Sequence, residues 1–284
     1  MGIILGLKMD MKSKIRIGNQ TAFSASMIME PFEYAVASGF NAFEWFPDKK
    51  ETGEGWDVDD MDEETRRYIR DTAGQHDVAL SVHAPWPANP LDPDTLGTLS
   101  KCTDFAFDIG ATILNIHLYN DQGIAAYIKA IKPVINLTKK ANIRLTIENT
   151  VFTGPEDFNE LFRALHDLKD IPTGHVGMCL DIGHANLCAS TRNDYLGFVD
   201  MLKPQTPVTH VHLHENYGSM DSHLTLFTGH SAKDPSGIAD FMERMVKRNF
   251  SGSMVLEQWP LPPSLLNNAR DRLYRILARI LDTP

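Results

Sequence analysis

The sequence predicts one α/β domain, a closed (β/α)₈ barrel of the TIM type, with residues 1–14 as an N-terminal extension. Three observations predict it. Eight short apolar runs recur along the chain, each followed by a helix-compatible stretch. Strand and helix patterns that alternate in this way imply parallel pairing through crossover helices. Eight such units in 284 residues fit a closed barrel, which typically takes about 250 residues, better than an open sheet.

The runs lie at 15–18, 42–45, 79–83, 112–117, 143–148, 176–181, 208–212 and 253–257. They are apolar on both faces, as strands must be when helices cover the outside and side chains fill the inside. Between them, 62–75 carries acidic and basic residues in amphipathic order, and 95–109 sets Leu96, Leu99, Cys102, Phe105 and Ile109 on one helical face. The 123–140 stretch repeats the pattern with Ile124, Tyr127, Ile128, Ile131 and Ile135, and Pro133 within it predicts a kink or break. Pro155 opens the 155–168 helix at a position proline favours. Helices over 236–248 and 263–281 complete the set. Nothing between the units reads as a linker, charge block or low-complexity tract.

Composition is that of a globular protein, 43% hydrophobic and 23% charged. Spanning a bilayer takes roughly 20 consecutive apolar residues, and no run reaches that. Ile3, Ile4 and Leu5 make too short a stretch for a secretion signal, so a cytoplasmic protein is expected. Cys102, Cys179 and Cys188 form no CxxC pair and read as reduced core thiols. The net charge of −10, with no more than two consecutive Lys or Arg residues, argues against a nucleic-acid partner, whose phosphates require a basic surface. The expected partner is a small molecule, with no membrane contact; a homo-oligomer is compatible with the sequence.

Six runs end in a residue able to bind a metal: His83, His117, Glu148, Asp181, His212 and Glu257; Glu44 sits near the end of another. In a parallel barrel the C-terminal strand ends share one rim, where active sites are built. A single acid there is commonly a helix cap. Six together are not explained that way, and carboxylates crowded without a cation would be costly to ionise. A divalent ion removes that conflict. Asp181 and His184 lie one turn apart after the sixth run, and Asp221 with His223 form an Asp-x-His step after the seventh. His210, His212 and His214 alternate and share one face. They cannot all ligate one ion, and His210 reads as a packed, hydrogen-bonded inner-layer residue. Trp45, Phe46, Trp86, Tyr119, Tyr217 and Trp259 gather near the same ends, as packing or as walls able to stack on a sugar face.

The strings Val82-His83-Ala84-Pro85, Ile147-Glu148-Asn149, Leu180-Asp181-Ile182-Gly183-His184, His210-Val211-His212-Leu213-His214 and Val255-Leu256-Glu257 together resemble the xylose-isomerase-like barrel superfamily, from about residue 15 to residue 281. That superfamily includes sugar and sugar-phosphate isomerases and epimerases, and also endonuclease IV. The epimerase branch implies one ion on Glu148, Asp181, His212 and Glu257, with Glu148 and Glu257 as catalytic acid and base and His184 on the substrate. The endonuclease IV branch implies three zinc ions on nine residues: His83, His117, Glu148, Asp181, His184, His212, Asp221, His223 and Glu257. Glu44, Trp86, His214 and Trp259 join His184 as candidate substrate contacts.

The chain departs from both patterns. Asn216-Tyr217-Gly218 stands where epimerases of free ketohexoses resemble one another in an Arg, and Leu226-Phe227-Thr228-Gly229-His230 replaces the usual Gly-rich turn. The resemblance implies a metal-dependent isomerase or epimerase using Mn²⁺, Zn²⁺ or Mg²⁺, one to three ions, on a sugar-like substrate. The alternatives are a multi-zinc phosphodiesterase and a metal-binding barrel without catalysis.

Overall fold

In the computed structural model the eight apolar runs pair in sequence order, each strand parallel to the next, and the last closes on the first. The structure describes residues 14–21, 24–50 and 52–282, so most of the N-terminal extension lies outside the described residues. The strands are β1 Ile15–Gln20, β2 Ala42–Trp45, β3 Ala79–His83, β4 Ile113–His117, β5 Arg144–Glu148, β6 Val176–Asp181, β7 Val208–Leu213 and β8 Gly252–Leu256. The α-helices among the described residues are α1 Glu30–Ser38, α2 Glu63–Gln75, α3 Leu96–Asp108, α4 Ile124–Ala141, α5 Pro155–His166, α6 Ile182–Leu187, α7 Tyr195–Met201, α8 Ser236–Lys247 and α9 Ser264–Asp282. No helix among them is long and apolar enough to cross a membrane.

Side chains alternate along each strand, so every second residue faces the helical layer and the rest face the barrel axis. On β2, Phe43 and Trp45 point outward onto Phe32 of α1, with ring centroids 5.3 Å away in each case. Trp45 also meets Trp56 and Phe105 and is fully buried. It is therefore outer-layer packing, one of the two roles the sequence left open for it. The inward side is unusually polar: Gln20, Glu44, Ser81, Asn115, Thr146 and His210 are all buried. All three cysteines are buried and unpaired.

Helix α4 runs unbroken through Pro133, contrary to the expected kink or break. Pro133 lies on the exposed side, where water can serve the carbonyl that loses its N–H partner, while Ile131, Val134 and Ile135 anchor both halves to the core. The short helices α6 and α7 were not distinguished in the sequence pattern; six or seven residues are too few for a clear helical period.

Register positions the rim. His117 pairs across from Glu148, and Asp181 from His212, so these residues stand at common heights. A register shift between Met178 and Cys179 lets Cys179 meet His210 and Asp181 meet His212. Without that irregularity the β7 histidines would face outward, because a one-residue slip reverses every side chain.

Candidate metal centre

All nine rim residues expected to bind metal converge on the C-terminal mouth of the barrel. Glu148 lies at the centre. One of its carboxylate oxygens is 2.9 Å from His83 Nε2 and 3.3 Å from His212 Nδ1; the other is 3.4 Å from His184 Nδ1 and 3.7 Å from His117 Nε2. His212 Nδ1 is also 3.0 Å from Glu257 and 4.0 Å from Asp181. On the outer side Asp221 lies 3.2 Å from His184 Nε2 and 3.1 Å from His223 Nε2, and His223 Nδ1 lies 3.9 Å from Glu257. The ligand atoms fall into overlapping groups, His83–Glu148–His212–Glu257, Glu148–Asp181–His184 and His184–His214–Asp221–His223, each with its atoms within 4.8 Å of one another.

The donor set fits divalent ions. Imidazole nitrogens and carboxylate oxygens at these spacings suit Zn²⁺, and the oxygen-rich inner set also suits Mn²⁺ or Mg²⁺. His212 Nδ1 and Glu257 Oε2 are buried yet lack a hydrogen-bond partner. Such orphaned atoms are costly unless something else satisfies them.

Local structure aims these groups. Asp181 N-caps α6, accepting from the His184 backbone N–H at 2.6 Å. Asn149 grips the same turn: its Nδ2 donates to Asp181 O and its Oδ1 accepts from Asp181 N, both at 2.9 Å. The turn packs so closely on β7 that a Cβ on Gly183 would sit 1.9 Å from the His214 ring, so only glycine fits. His223 has φ 42, a left-handed value that a non-glycine residue adopts under local constraint.

Two of the expected substrate contacts are corrected. Glu44 is 0% exposed and lies beneath the rim. Its carboxylate is 2.8 Å from His212 Nε2 and 2.9 Å from His210 Nε2, and accepts from Ser81 Oγ at 2.7 Å. It supports His212 from behind and cannot reach a substrate. His214 is 1% exposed, 3.1 Å from the Asp181 carboxylate and stacked on His223 at 3.9 Å. It backs Asp181 and borders the cleft of Gly183, Asn186, Asn216 and Tyr217 rather than the one lined by Trp259 and Glu257. His210, bonded to Glu44, is the inner-layer residue the sequence predicts.

The aromatic residues divide. Trp86 is half-exposed with its ring 4.5 Å from His117, and Phe46 lies 4.6 Å from His83. Tyr119 donates its hydroxyl to Trp86 O. Trp259 packs edge-on against Tyr34 and lines the cleft beside Glu257 and His223. Tyr217 turns away onto His230.

Sequence reasoning missed the inner support. Asn115 donates to Glu148 Oε2 at 2.5 Å and accepts from Thr146 Oγ1 at 2.8 Å. Asn115, Thr146 and Ser81 each lie two residues before a rim residue on the same strand, so the period-2 rule would have found them. Cys179 lies within ligand distance of His210 and His212, but burial keeps its thiol pKa well above the usual range, so it is held neutral.

The electrostatics follow from this packing. Burial pushes the Glu148 pKa up, but His212, His117 and His83 outweigh it and hold the carboxyl well below its usual range. Burial lowers His117 to about 3. His184 and His212 are raised well above the usual value: burial opposes this, but Asp181 and Asp221 for His184, and the carboxylates of Glu257, Glu148 and Glu44 for His212, prevail. A carboxylate behind a ligating imidazole fixes its orientation and raises its basicity. Glu44→Gln is therefore expected to weaken metal affinity about 10–100-fold, read by competition with a calibrated chelator. An unchanged affinity in a folded variant would remove Glu44 from the supporting shell.

The fold and rim define an eight-stranded α/β barrel with candidate metal-ligand clusters at its C-terminal mouth. The chain belongs to the xylose isomerase-like TIM barrel family, whose signature matches residues 32–277. It is similar to the uncharacterized protein MJ1311 of Methanocaldococcus jannaschii, at 22% identity over 214 residues, 67% of this chain and 68% of that one. It is also similar to a probable endonuclease 4 of Thermoplasma volcanium, at 25% identity over 200 residues, 67% of this chain and 69% of that one. Its fold matches the crystal structure of a D-tagatose 3-epimerase-like protein with a TM-score of 0.71 at 19% identity, covering 93% of this chain and 98% of that one.

Proposed function

We propose that this chain is a divalent-metal-dependent isomerase or epimerase of a sugar or sugar phosphate, acting by proton transfer next to a carbonyl. One observation carries the reading: Glu148 and Glu257, from strands three apart, both approach His212 Nδ1, at 3.3 and 3.0 Å, beside an aromatic-walled cleft of about 470 Å³. Two carboxylates on either side of one centre suit the removal of a proton and its return to another carbon or face.

Glu148, Asp181, His212 and Glu257 would hold the ion. When bound, a divalent ion polarises a carbonyl and stabilises the developing enediolate. Glu148 and Glu257 exchange the proton, and His184 contacts the substrate. His83, His117, Asp221 and His223 supply positions for further ions or substrate oxygens. Trp86, Phe46 and Trp259 exclude water and offer faces for stacking. The net charge of −10 disfavours nucleic acid as the substrate.

A second reading, a multi-zinc phosphodiesterase, is favoured by the outer His184–Asp221–His223 group and by the endonuclease 4 relative. The decisive experiment screens keto-sugars and their phosphates for deuterium uptake from solvent at the carbon beside the carbonyl, with bound metal counted in parallel. Metal-dependent uptake is expected. Three bound zinc ions, cleavage of abasic DNA and no uptake would transfer the assignment to the phosphodiesterase. Bound metal with neither activity would leave a barrel without catalysis.

A further inference from the structure

The loop after β7 leaves the rim and returns to it. At its base Glu215 and Leu224 exchange backbone hydrogen bonds, 2.8 Å in each direction. The Glu215 carboxylate is captured in turn by the N–H groups of Phe227, Gly229 and Ser231, at 2.8, 3.2 and 2.8 Å. The far part carries the exposed Tyr217 and Met220 and then turns inward, so that Asp221 lies between His184 of α6 and His223.

A fourth side chain reaches this group from the barrel itself. His214, just past β7, is buried, with Nε2 3.7 Å from Asp221 Oδ1. Ligand atoms of His184, His214, Asp221 and His223 all lie within 4.8 Å of one another. Two neighbours hold the His214 ring in place. One is the Gly183 backbone, on which any Cβ would come within 1.9 Å of the ring; the other is the His223 ring, stacked at 3.9 Å and 10° from parallel. His184 is oriented as well: its Nδ1 lies 2.8 Å from Asn149 O, an acceptor that takes the proton there and leaves the Nε2 lone pair for a cation. Three imidazoles and one carboxylate make the full tetrahedral complement of Zn²⁺. Zinc sites with four protein ligands are structural, whereas catalytic ones keep a position for water or substrate.

We propose that His214 is a metal ligand, and that His184, His214, Asp221 and His223 form a closed four-ligand zinc site whose ion ties the tip of the β7 loop to α6 and takes no part in the reaction. His214 Nε2 also lies 3.1 Å from both carboxylate oxygens of Asp181. Turning that nitrogen to the outer ion releases Asp181 for the inner one. The inference stands on the candidate metal centre and not on the isomerase reading. It also removes one support of the phosphodiesterase reading, because an ion with four protein ligands has no place left for a water or a phosphate oxygen.

The test uses the full chain with zinc alone. Crystals soaked in Zn²⁺ locate each ion by its anomalous signal. The expected outer ion has four protein ligands, His214 Nε2 among them at about 2.0–2.1 Å, and no water. An outer ion on three protein ligands and a water, with His214 still on Asp181, would overturn the inference, and so would an outer position left empty. His214→Asn gives a second measurement, because the amide can still donate to Asp181 but the imidazole is gone. Loss of a merely supporting contact weakens metal binding about 10–100-fold. Zinc titration is therefore expected to show the outer ion weakened by more than about a hundredfold, and a smaller change would return His214 to a supporting role. Hydrogen exchange over residues 216–223 is expected to slow at least about tenfold when the native chain is loaded at a hundred times Kd, and to slow less in the variant at the same zinc concentration. Exchange indifferent to zinc would rule out the tie between loop and helix. None of these measurements uses a sugar, so the isomerase reading stands or falls separately.

Discussion

Replacing Glu257 by Gln is expected to lower the solvent-exchange rate about 10²–10⁴-fold while the protein still binds metal, because general acid–base catalysis commonly contributes that much. The amide keeps the side-chain shape and one oxygen donor but loses charge and basicity. Glu257 is the cleaner of the two positions: its Oε2 has no hydrogen-bond partner, so few protein contacts are disturbed. Glu148→Gln should lose rate on the same scale, with a larger cost to metal binding. Glu148 accepts from Asn115 and His83 and approaches His184, His117 and His212, so its charge also holds the imidazole cluster together. Both variants are assayed at saturating metal with the bound ion measured. Near-normal exchange in a metal-loaded Gln variant would leave that glutamate as a ligand only. Loss of rate at full metal occupancy supports the acid–base role.

Loading with Zn²⁺ or Mn²⁺ at a hundred times its Kd is expected to stabilise the fold by about 2.7 kcal/mol and raise Tm by roughly 5–10 °C, reversed by a chelator. The effect should grow with pH, and the sign follows from the histidines. His184 and His212 have folded pKa values well above the usual one, and His223 is raised to about 9: burial opposes, but Asp221, Glu257 and Asp181 draw the proton in. Groups raised in this way stabilise the metal-free fold below their unfolded value, near 6.5, and lose that contribution as pH rises through the folded values. A metal requires the same nitrogens deprotonated. Metal-free stability should therefore decline between about pH 6.5 and 9 while metal affinity rises, on the order of tenfold per pH unit for each proton displaced. Calorimetry at pH 7 in two buffers of different ionisation enthalpy measures the protons released. A Tm indifferent to metal, or binding without proton release, would disprove these nitrogens as ligands.

Much of this was legible in the chain itself. Alternating apolar runs and amphipathic stretches are local patterns, and they were enough to predict eight strands, the closed barrel and the sharing of one rim by His83, His117, Glu148, Asp181, His212 and Glu257. Boundaries moved by one or two residues, as at β5, which begins at Arg144 rather than residue 143. Spacing also identified His210 as an inner-layer residue, because it lies one strand step below His212.

Depth and partnership were decided only by the tertiary structure. Glu44 stands near a strand end and His214 just past one, much as true rim residues do, and nothing local distinguishes a carboxylate that faces a cleft from one that lies beneath His212. That difference comes from how β2 and β7 face each other across the barrel axis, 166 residues apart in the His210–Glu44 pair. The irregular register between β6 and β7 turns the β7 histidines inward, and no single strand encodes it. The capture of Glu215 by Phe227, Gly229 and Ser231 likewise appears only once the loop has folded back on β7. The sequence by itself determined which residues reach the mouth of the barrel, because strand periodicity is local; which of them meet, and which only support the others, was decided by long-range register and burial, because those depend on every strand closing the barrel together.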